Sequence, residues 1–364
     1  MRTTAVCLLL FLLRMQAAEP APADAWLAHA KIAPPLQFPT TLEAWQTQRV
    51  EIRAKLNELL GDLPPRPPVS AFQIITREDK GTYTLETLQF DNGAGEIVKG
   101  FLFVPKPATA QSKAPAILYC HWHGGQYDIG KQELLQTNAT PVAPGPALAE
   151  AGYVVLGIDA PCFGERNGQG PDGPQQKGSA GEMTAAKFNL WAGRTLWGMI
   201  MRDDLTALDY LCSRPEVDAQ RIGVTGISMG STRSWWIMAL DDRPRAAVCV
   251  ACMTRYEELI RAGMLKAHGI YYFVPGMLKH FDTEAVIALA APRPMLFMTG
   301  NQDGGSPIEG VSHLGEIVAK VYALHGDDAK ARFENTIYPG IGHVYLPEMW
   351  EKTVKWMDRW VKEE

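Results

Sequence analysis

The spacing of apolar and polar residues changes along this chain. Residues 41–60 carry apolar side chains near helical spacing, and a proline-rich run follows, which predicts one amphipathic helix. The segments 72–75, 83–90 and 97–104 predict three antiparallel strands. From residue 116 onward, apolar strand patterns alternate with helical patterns, which is typical of parallel pairing. These strands are predicted at 116–121, 153–159, 221–225, 246–251, 295–300 and 332–338. The pattern therefore predicts an α/β fold with a mostly parallel central sheet, antiparallel N-terminal strands and helices on both faces.

One junction in this pattern points to chemistry. The strand at 221–225 runs into Gly226-Ile227-Ser228-Met229-Gly230, and a helical pattern follows directly. A strand, a G-x-S-x-G turn and a helix form a nucleophile elbow, in which strained backbone angles lift the serine hydroxyl clear of the sheet. The glycines leave room where the strand and the helix cross. The sequence therefore predicts Ser228 as a nucleophile, and the alternative is a chance match in a glycine-rich chain.

A serine nucleophile of this kind needs an acid and then a histidine further along the chain. Asp303 follows the strand at 295–300, and His343 follows the strand at 332–338 in a glycine-flanked loop. Taken alone, Asp303 could be an Asx-turn residue and His343 a surface or helix-capping residue. Their order, each directly after a strand, predicts the triad Ser228, Asp303 and His343. Asp282 and Glu334 are the competing acids.

An oxyanion hole completes such a site. The strand ending at Cys120 runs into His121-Trp122-His123-Gly124-Gly125, and a loop in this place donates one backbone N–H, while the residue after the nucleophile donates another. Met229 is therefore one expected donor, and His123 or Trp122 is the other. His121-x-His123 also has the spacing of a metal pair. No further cluster with ligand spacing accompanies it, so no metal is expected.

Five further stretches complete a recognisable pattern. They lie at residues 196–205, 214–218, 239–243, 272–278 and 291–294. With the elbow, they resemble the dienelactone-hydrolase-like and acetyl-xylan-esterase-like branch of the α/β-hydrolases. The resemblance implies an α/β-hydrolase fold and an ester hydrolase that needs no cofactor, with its triad on Ser228, Asp303 and His343. The chain departs from the usual pattern at Ser231 and Trp122, where glycine is common. A serine nucleophile argues against dienelactone itself, since those enzymes use cysteine.

Composition excludes several classes of protein. The chain has 364 residues, 46% of them hydrophobic, and a formal net charge of −5, which fits a folded domain with a large core. Lysine and arginine are dispersed without a basic run, so a nucleic-acid partner is not expected. We expect an ester substrate, either a small molecule or a carbohydrate, and the sequence leaves the oligomeric state open.

The N-terminus has the pattern of an export signal. Arg2 precedes an apolar stretch at residues 5–13, which is too short to span a bilayer, and small residues follow it. We therefore expect a signal peptide at 1–18, with cleavage possible as late as residue 25, a lead-in at 19–40, and a single domain at 41–364. The alternative is an uncleaved membrane-associated helix. Five cysteines remain after the signal, and even Cys249-x-x-Cys252 is interpreted as buried apolar residues rather than as a redox motif.

Aromatic residues near the expected cavity are candidates for substrate contact. These are Trp122 in the oxyanion loop, and Tyr271 and Tyr272 in the segment 254–281 between two strands. A bulky Trp122 beside the acyl group would shorten the acyl pocket. The sequence thus predicts an exported, periplasmic or secreted serine carboxylic ester hydrolase that cleaves short acyl groups, such as acetyl, from carbohydrate-type esters. The alternatives are a lipase or polyesterase, a serine peptidase of the same fold, and a non-catalytic binding protein.

Overall fold

The protein is built on one nine-stranded sheet. The structure is a computed structural model and describes residues 22–363. The strands lie in the order β1-β2-β3-β5-β4-β6-β7-β8-β9. The strand bounds are β1 Gln73–Asp79, β2 Tyr83–Asp91, β3 Ile97–Pro105, β4 Ala114–Cys120, β5 Val154–Ile158, β6 Val217–Ile227, β7 Ala246–Val250, β8 Met295–Gly300 and β9 Phe333–Tyr338. Pairing is antiparallel from β1 to β5 and parallel from β5 to β9, which confirms the predicted sheet.

Helices cover both faces of the sheet, as predicted. Their bounds are α1 Pro22–His29, α2 Leu42–Leu60, α3 Pro144–Glu150, α4 Gly178–Trp191, α5 Leu196–Ser213, α6 Met229–Leu240, α7 Tyr256–Arg261, α8 Thr283–Ala288, α9 Ile308–Ala323, α10 Asp327–Lys330 and α11 Pro347–Met357. Alternate residues of β4 belong to two hydrophobic clusters: Leu118 to one that includes residues of α2, α5, α6, α8 and α9, and Ile117 to one that includes residues of α3 and α11. The period of two along each strand therefore divides the core into two layers.

Two observed strands are several residues longer than predicted. The first extends to Asp79 because β1 continues to pair with the charged and polar residues of β2. The strand before the elbow extends from Val217 to Ile227, since Gly226 and Ile227 still pair with β7. This longer β6 carries the elbow beyond the pairing of β4, to the edge where parallel strands of the sheet end.

The N-terminal part of the described chain lies against the main body. Leu27 of α1 is buried, the N–H of Ala33 donates to the Leu278 carbonyl (2.7 Å), and Phe38 meets Trp45 of α2 edge-on with ring centroids 5.4 Å apart. The expected signal peptide at 1–18 lies outside the described residues. Across residues 22–363, each helix is too short or too polar to cross a membrane.

Candidate active site

The elbow forms as the sequence predicts. Ser228 sits between β6 and α6 with φ 60° and ψ −119°, a conformation that side chains rarely adopt. A Cβ atom on Gly226 or Gly230 would collide with the Cys120 carbonyl oxygen, so only glycine fits at either place. Strand β4 therefore runs directly beneath the turn. This close crossing brings the end of β4, with its loop, beside the serine.

The three residues of the predicted triad line one cavity of about 480 Å³. His343 Nδ1 lies 2.8 Å from Asp303 Oδ2, and the Gly305 N–H donates to Asp303 Oδ1 (2.8 Å). Burial raises the pKa of Asp303, but the hydrogen bonds from His343 and Gly305 outweigh it, so the pKa lies below its usual range. The carboxylate is therefore ionised and can orient the imidazole with its Nδ1–H toward Asp303.

The two competing acids have other partners. Glu334 of β9 binds Lys352 (2.5 Å) and Thr336 (3.0 Å). Asp282 accepts hydrogen bonds from the N–H groups of Tyr256 (2.8 Å) and Glu257 (2.9 Å) and precedes α8. Both carboxylates lie outside the lining of the cavity, whereas Asp303 belongs to it.

Two backbone donors lie near the serine, one at the start of α6 and one in the oxyanion loop, residues 121–125. Met229 begins α6, and the first N–H groups of a helix have no partner within it. Within residues 22–363, the N–H of His123 also has no hydrogen-bond acceptor. The N–H of Trp122, in contrast, donates to Oε2 of the buried Glu133 (2.7 Å). Of the two candidates in this loop, the structure thus leaves His123 free to act.

Trp122 does not line the cavity, although the sequence predicts that it does. Its indole packs beside Gly124, against the cluster that contains α3 and α11, and it lies outside the residues that line the cavity. The physical reason is that the indole packs its apolar surface against this cluster, while the backbone N–H is bound to Glu133. The expectation that Trp122 contacts substrate and shortens the acyl pocket therefore has no geometric support.

Buried ionisable side chains bind the backbone of the oxyanion loop. Glu133 accepts from the Tyr119 hydroxyl (2.6 Å) as well as from Trp122, and burial raises its pKa to about 7. Arg233 of α6 forms a bidentate pair with Asp204 of α5 (2.8 and 2.5 Å) and reaches the His121 carbonyl (3.4 Å). All of these side chains are buried. The loop is thus held in place by buried polar contacts.

The two loop histidines have structural partners at every ring nitrogen. His121 Nδ1 meets the Trp122 carbonyl (2.7 Å), and its Nε2 accepts from the Ala160 N–H (3.0 Å). His123 Nδ1 accepts from the Gly125 N–H (3.0 Å), and its Nε2 lies 3.0 Å from the buried Glu182. Burial lowers the pKa of His121, so this ring is neutral. Over residues 22–363, no cluster of three metal-ligating side chains is found.

A second segment, residues 254–281, contributes the other side of the cavity, and we call it the rim segment. Lys266, His268 and Tyr271 line the cavity from this segment. Tyr271 stacks on His123 with ring centroids 5.2 Å apart. Tyr272 is buried behind His268, with centroids 4.0 Å apart, and lies outside the lining. The structure therefore brings one of the two predicted tyrosines to the cavity.

Several residues of the site were missed by sequence reasoning. They are Cys252, Lys266 and His268 in the lining, and Glu133 and Glu182 behind it. Cys252 carried a usable signal, because it follows the strand beside the nucleophile strand, and side chains at the carboxyl ends of neighbouring parallel strands converge. The carboxylates carried none: the partners of Glu182 are more than fifty residues away, and Glu133 lies in a short 3₁₀-helical segment whose pattern does not predict its direction.

The family of the chain follows from comparison with known proteins. The sequence profile of the Abhydrolase family matches residues 29–319. The chain belongs to the Abhydrolase family. YtaP of Bacillus subtilis (strain 168), which is assigned as a hydrolase, is 36% identical over 315 residues, and the match covers 86% of this chain and 100% of YtaP.

Two solved structures share the fold. A protein of Bacteroides fragilis NCTC 9343 that is assigned as an acetyl xylan esterase superposes with a TM-score of 0.68 at 20% identity, covering 90% of this chain and 87% of that one. A glucuronoyl esterase from Solibacter usitatus superposes with a TM-score of 0.64 at 19% identity, covering 90% and 99%. Together with the Abhydrolase match, these likenesses confirm the expected α/β-hydrolase fold.

Proposed function

We propose that this protein is an exported serine carboxylic ester hydrolase that removes short acyl groups, such as acetyl, from carbohydrate-type esters. The observation that carries the proposal is the meeting of Ser228, Asp303 and His343 at one cavity, with a hydrogen bond of 2.8 Å between the acid and the histidine. Each of the three follows a different strand of the sheet, and the strained backbone of the serine supports a catalytic role.

The proposed mechanism uses the residues in fixed roles. His343 takes the proton of Ser228 as the hydroxyl attacks the ester carbonyl, and Asp303 stabilises the imidazolium. The N–H groups of Met229 and His123 hold the negative oxygen of the tetrahedral intermediate, which is worth about 3–4 kcal/mol per donor. His343 then gives its proton to the leaving alcohol. Water activated by the same histidine releases the acid from the acyl-serine.

The substrate class rests on the lining and on the relatives. The cavity combines imidazole rings and the Tyr271 ring with the ammonium group of Lys266, groups that suit a polar, hydroxyl-rich alcohol better than a lipid chain. Two structural neighbours, one assigned as an acetyl xylan esterase and one a glucuronoyl esterase, are named for carbohydrate esters, which favours this substrate class. Export is proposed from the N-terminal sequence pattern alone.

A fluorophosphonate probe tests the nucleophile. The unmutated protein should be labelled on Ser228, and Ser228→Ala should lose both labelling and hydrolysis of acetylated xylo-oligosaccharides and nitrophenyl acetate. Ser112→Ala is the matched control, because Ser112 is an exposed turn residue far along the chain from the elbow. Labelling or hydrolysis that survives in Ser228→Ala contradicts the proposal.

The same assay separates the alternatives. Parallel measurements use long-chain acyl esters and aminoacyl-nitroanilides. Faster cleavage of octanoyl than acetyl esters would indicate a lipase or polyesterase, and release of nitroaniline would indicate a peptidase. A protein that is neither labelled nor active would indicate a binding role. Localisation is checked separately by fractionating cells that express the full chain.

A further inference from the structure

A short stretch after β7 has an unusual backbone. Ala251 and Cys252 are consecutive residues with positive φ angles of 62° and 51°. Left-handed backbone favours glycine and costs other residues about 1 kcal/mol or more. Strained backbone of this kind is common at active sites. This stretch is also adjacent to the nucleophile, because β7 pairs with β6.

Buried hydrogen bonds fix this stretch on all sides. The Ser231 hydroxyl donates to the Ala251 carbonyl (2.6 Å), the Cys252 N–H donates to the Ser306 hydroxyl (2.9 Å), and the Trp235 indole donates to the Cys252 carbonyl (3.4 Å). These partners come from α6 and from the loop that follows β8. These hydrogen bonds hold the backbone and therefore fix the direction of the Cys252 side chain.

The side chain points at the nucleophile. Cys252 Sγ lies 3.7 Å from Ser228 Oγ, and Cys252 lines the catalytic cavity although it is only 3% exposed. In an acyl-serine the acyl carbon is bonded to Oγ itself. A sulfur atom at this distance from Oγ is within van der Waals reach of the first carbons of the acyl group. The leaving alcohol must instead face His343, which protonates it.

We propose that Cys252 is a specificity-determining residue that limits the length of the acyl group bound beside Ser228. The inference rests on the proposed esterase function and deepens it. It also replaces Trp122, which lies outside the cavity, as the source of short-acyl preference. Burial raises the pKa of the Cys252 thiol to about 12, so the group is a neutral thiol that acts through its size and not as a second nucleophile.

Cys252→Gly tests this directly, since glycine accepts the left-handed backbone and removes the thiol. The measurement is kcat/KM for nitrophenyl acetate, butyrate, hexanoate and octanoate. In the unmutated enzyme the value should fall with acyl length. In Cys252→Gly the ratio of hexanoate to acetate should rise at least 10-fold, because one or two methylenes of pocket volume discriminate by that amount. Cys252→Ala should lie between the two.

Cys162→Gly is the matched control. Cys162 is also a buried cysteine with a positive φ (72°), but it lies outside the cavity lining. Its substitution should leave the acyl profile unchanged. An unmutated profile that does not fall with length, a Cys252→Gly profile equal to the unmutated one, or an equal change in Cys162→Gly overturns the inference. Failure of the proposed function would look different, with no labelling and no ester hydrolysis in any of these variants.

Discussion

The two sides of the catalytic cavity are built differently. On the sheet side, the oxyanion loop and the elbow lie over buried side chains that form hydrogen bonds. Glu133 binds the Trp122 N–H, and Arg233 binds Asp204. On the other side, the rim segment consists of α7 and short single turns, and it exposes Lys266 and Ala267 to solvent. At its start the rim segment is held by Arg255, which pairs with Glu284 (3.1 Å), and by the Tyr256 N–H, which donates to Asp282 (2.8 Å). Further along, the Tyr271 N–H donates to the buried Glu182 (3.3 Å).

This difference suits two tasks of the proposed mechanism, stabilising the oxyanion and binding the substrate. Donors that stabilise an oxyanion must be in place before the reaction, because reorganising them would consume the stabilisation they give. Buried ion pairs contribute little net stability, yet removing one partner leaves an unpaired charge, so they fix geometry strongly. A rim made of short turns can instead vary in sequence without disturbing the reacting atoms. We therefore expect substitutions on the sheet side to change kcat and stability, and those on the rim to change KM.

The largest expected effect falls on the acid of the triad. Asp303→Asn should lower kcat by roughly 10⁴-fold, because the asparagine holds the wrong tautomer of His343. The measurement is kcat for nitrophenyl acetate, with circular dichroism to verify folding. Glu334→Gln is the control and should retain nearly full activity, since Glu334 binds Lys352 away from the cavity. If Glu334→Gln is inactive and Asp303→Asn is not, the acid is misassigned.

A stability effect should follow from the ion pair beneath the loop. Arg233→Met leaves Asp204 buried without its partner and should lower the free energy of unfolding by about 3–5 kcal/mol. The double variant Arg233→Met/Asp204→Leu should recover most of this loss, because both charges are then absent. Urea unfolding monitored by tryptophan fluorescence measures both. Equal losses in the single and double variants would show that the pair is not the cause.

The titration of Glu133 should make the free energy of unfolding depend on pH. Its folded pKa of about 7 lies above the usual value of a glutamate, so between roughly pH 4.5 and 7 the folded state binds more protons than the unfolded state. The contribution of Glu133 to the free energy of unfolding therefore falls as pH rises through that window, by roughly 3 kcal/mol. Tyr119, Trp122 and Arg233 are the groups that face it.

Glu133→Gln tests this sign. The amide can accept from the Trp122 N–H and donate to the Tyr119 oxygen, so the loop stays in place while the titration disappears. The variant should be more stable than the unmutated protein at pH 8, and the two should converge near pH 4.5. Glu133→Met, which can do neither, should lower kcat at every pH. Parallel stability curves for Glu133→Gln and the unmutated protein would contradict the raised pKa.

The sequence predicts the sheet side of the cavity better than it predicts the rim segment. The alternation of strands and helices, the glycines of the elbow and the order of Ser228, Asp303 and His343 can all be read along the chain, because each depends on local pattern and parallel topology. The direction of Trp122 could not be read, since its indole packs against a cluster that includes α11, far along the chain. The burial of Tyr272 behind His268 depends likewise on how the turns of the rim segment fold back. Side-chain direction in loops is thus the point at which local patterns stop being informative.

The smallest expected effect, and the sharpest test of the comparison, is at Lys266. Its ammonium group lines the cavity at an exposed position, and exposed charge pairs contribute about 0–1 kcal/mol. Lys266→Met should therefore leave stability within about 0.5 kcal/mol and kcat for a neutral acetyl ester within about twofold. KM for a matched ester with a carboxylate on its alcohol part should rise up to about fivefold, and added salt should erase the difference. The measurement is kcat and KM for both esters at low and high ionic strength. A loss of kcat for the neutral ester would place Lys266 with the sheet-side residues and remove the division between the two sides.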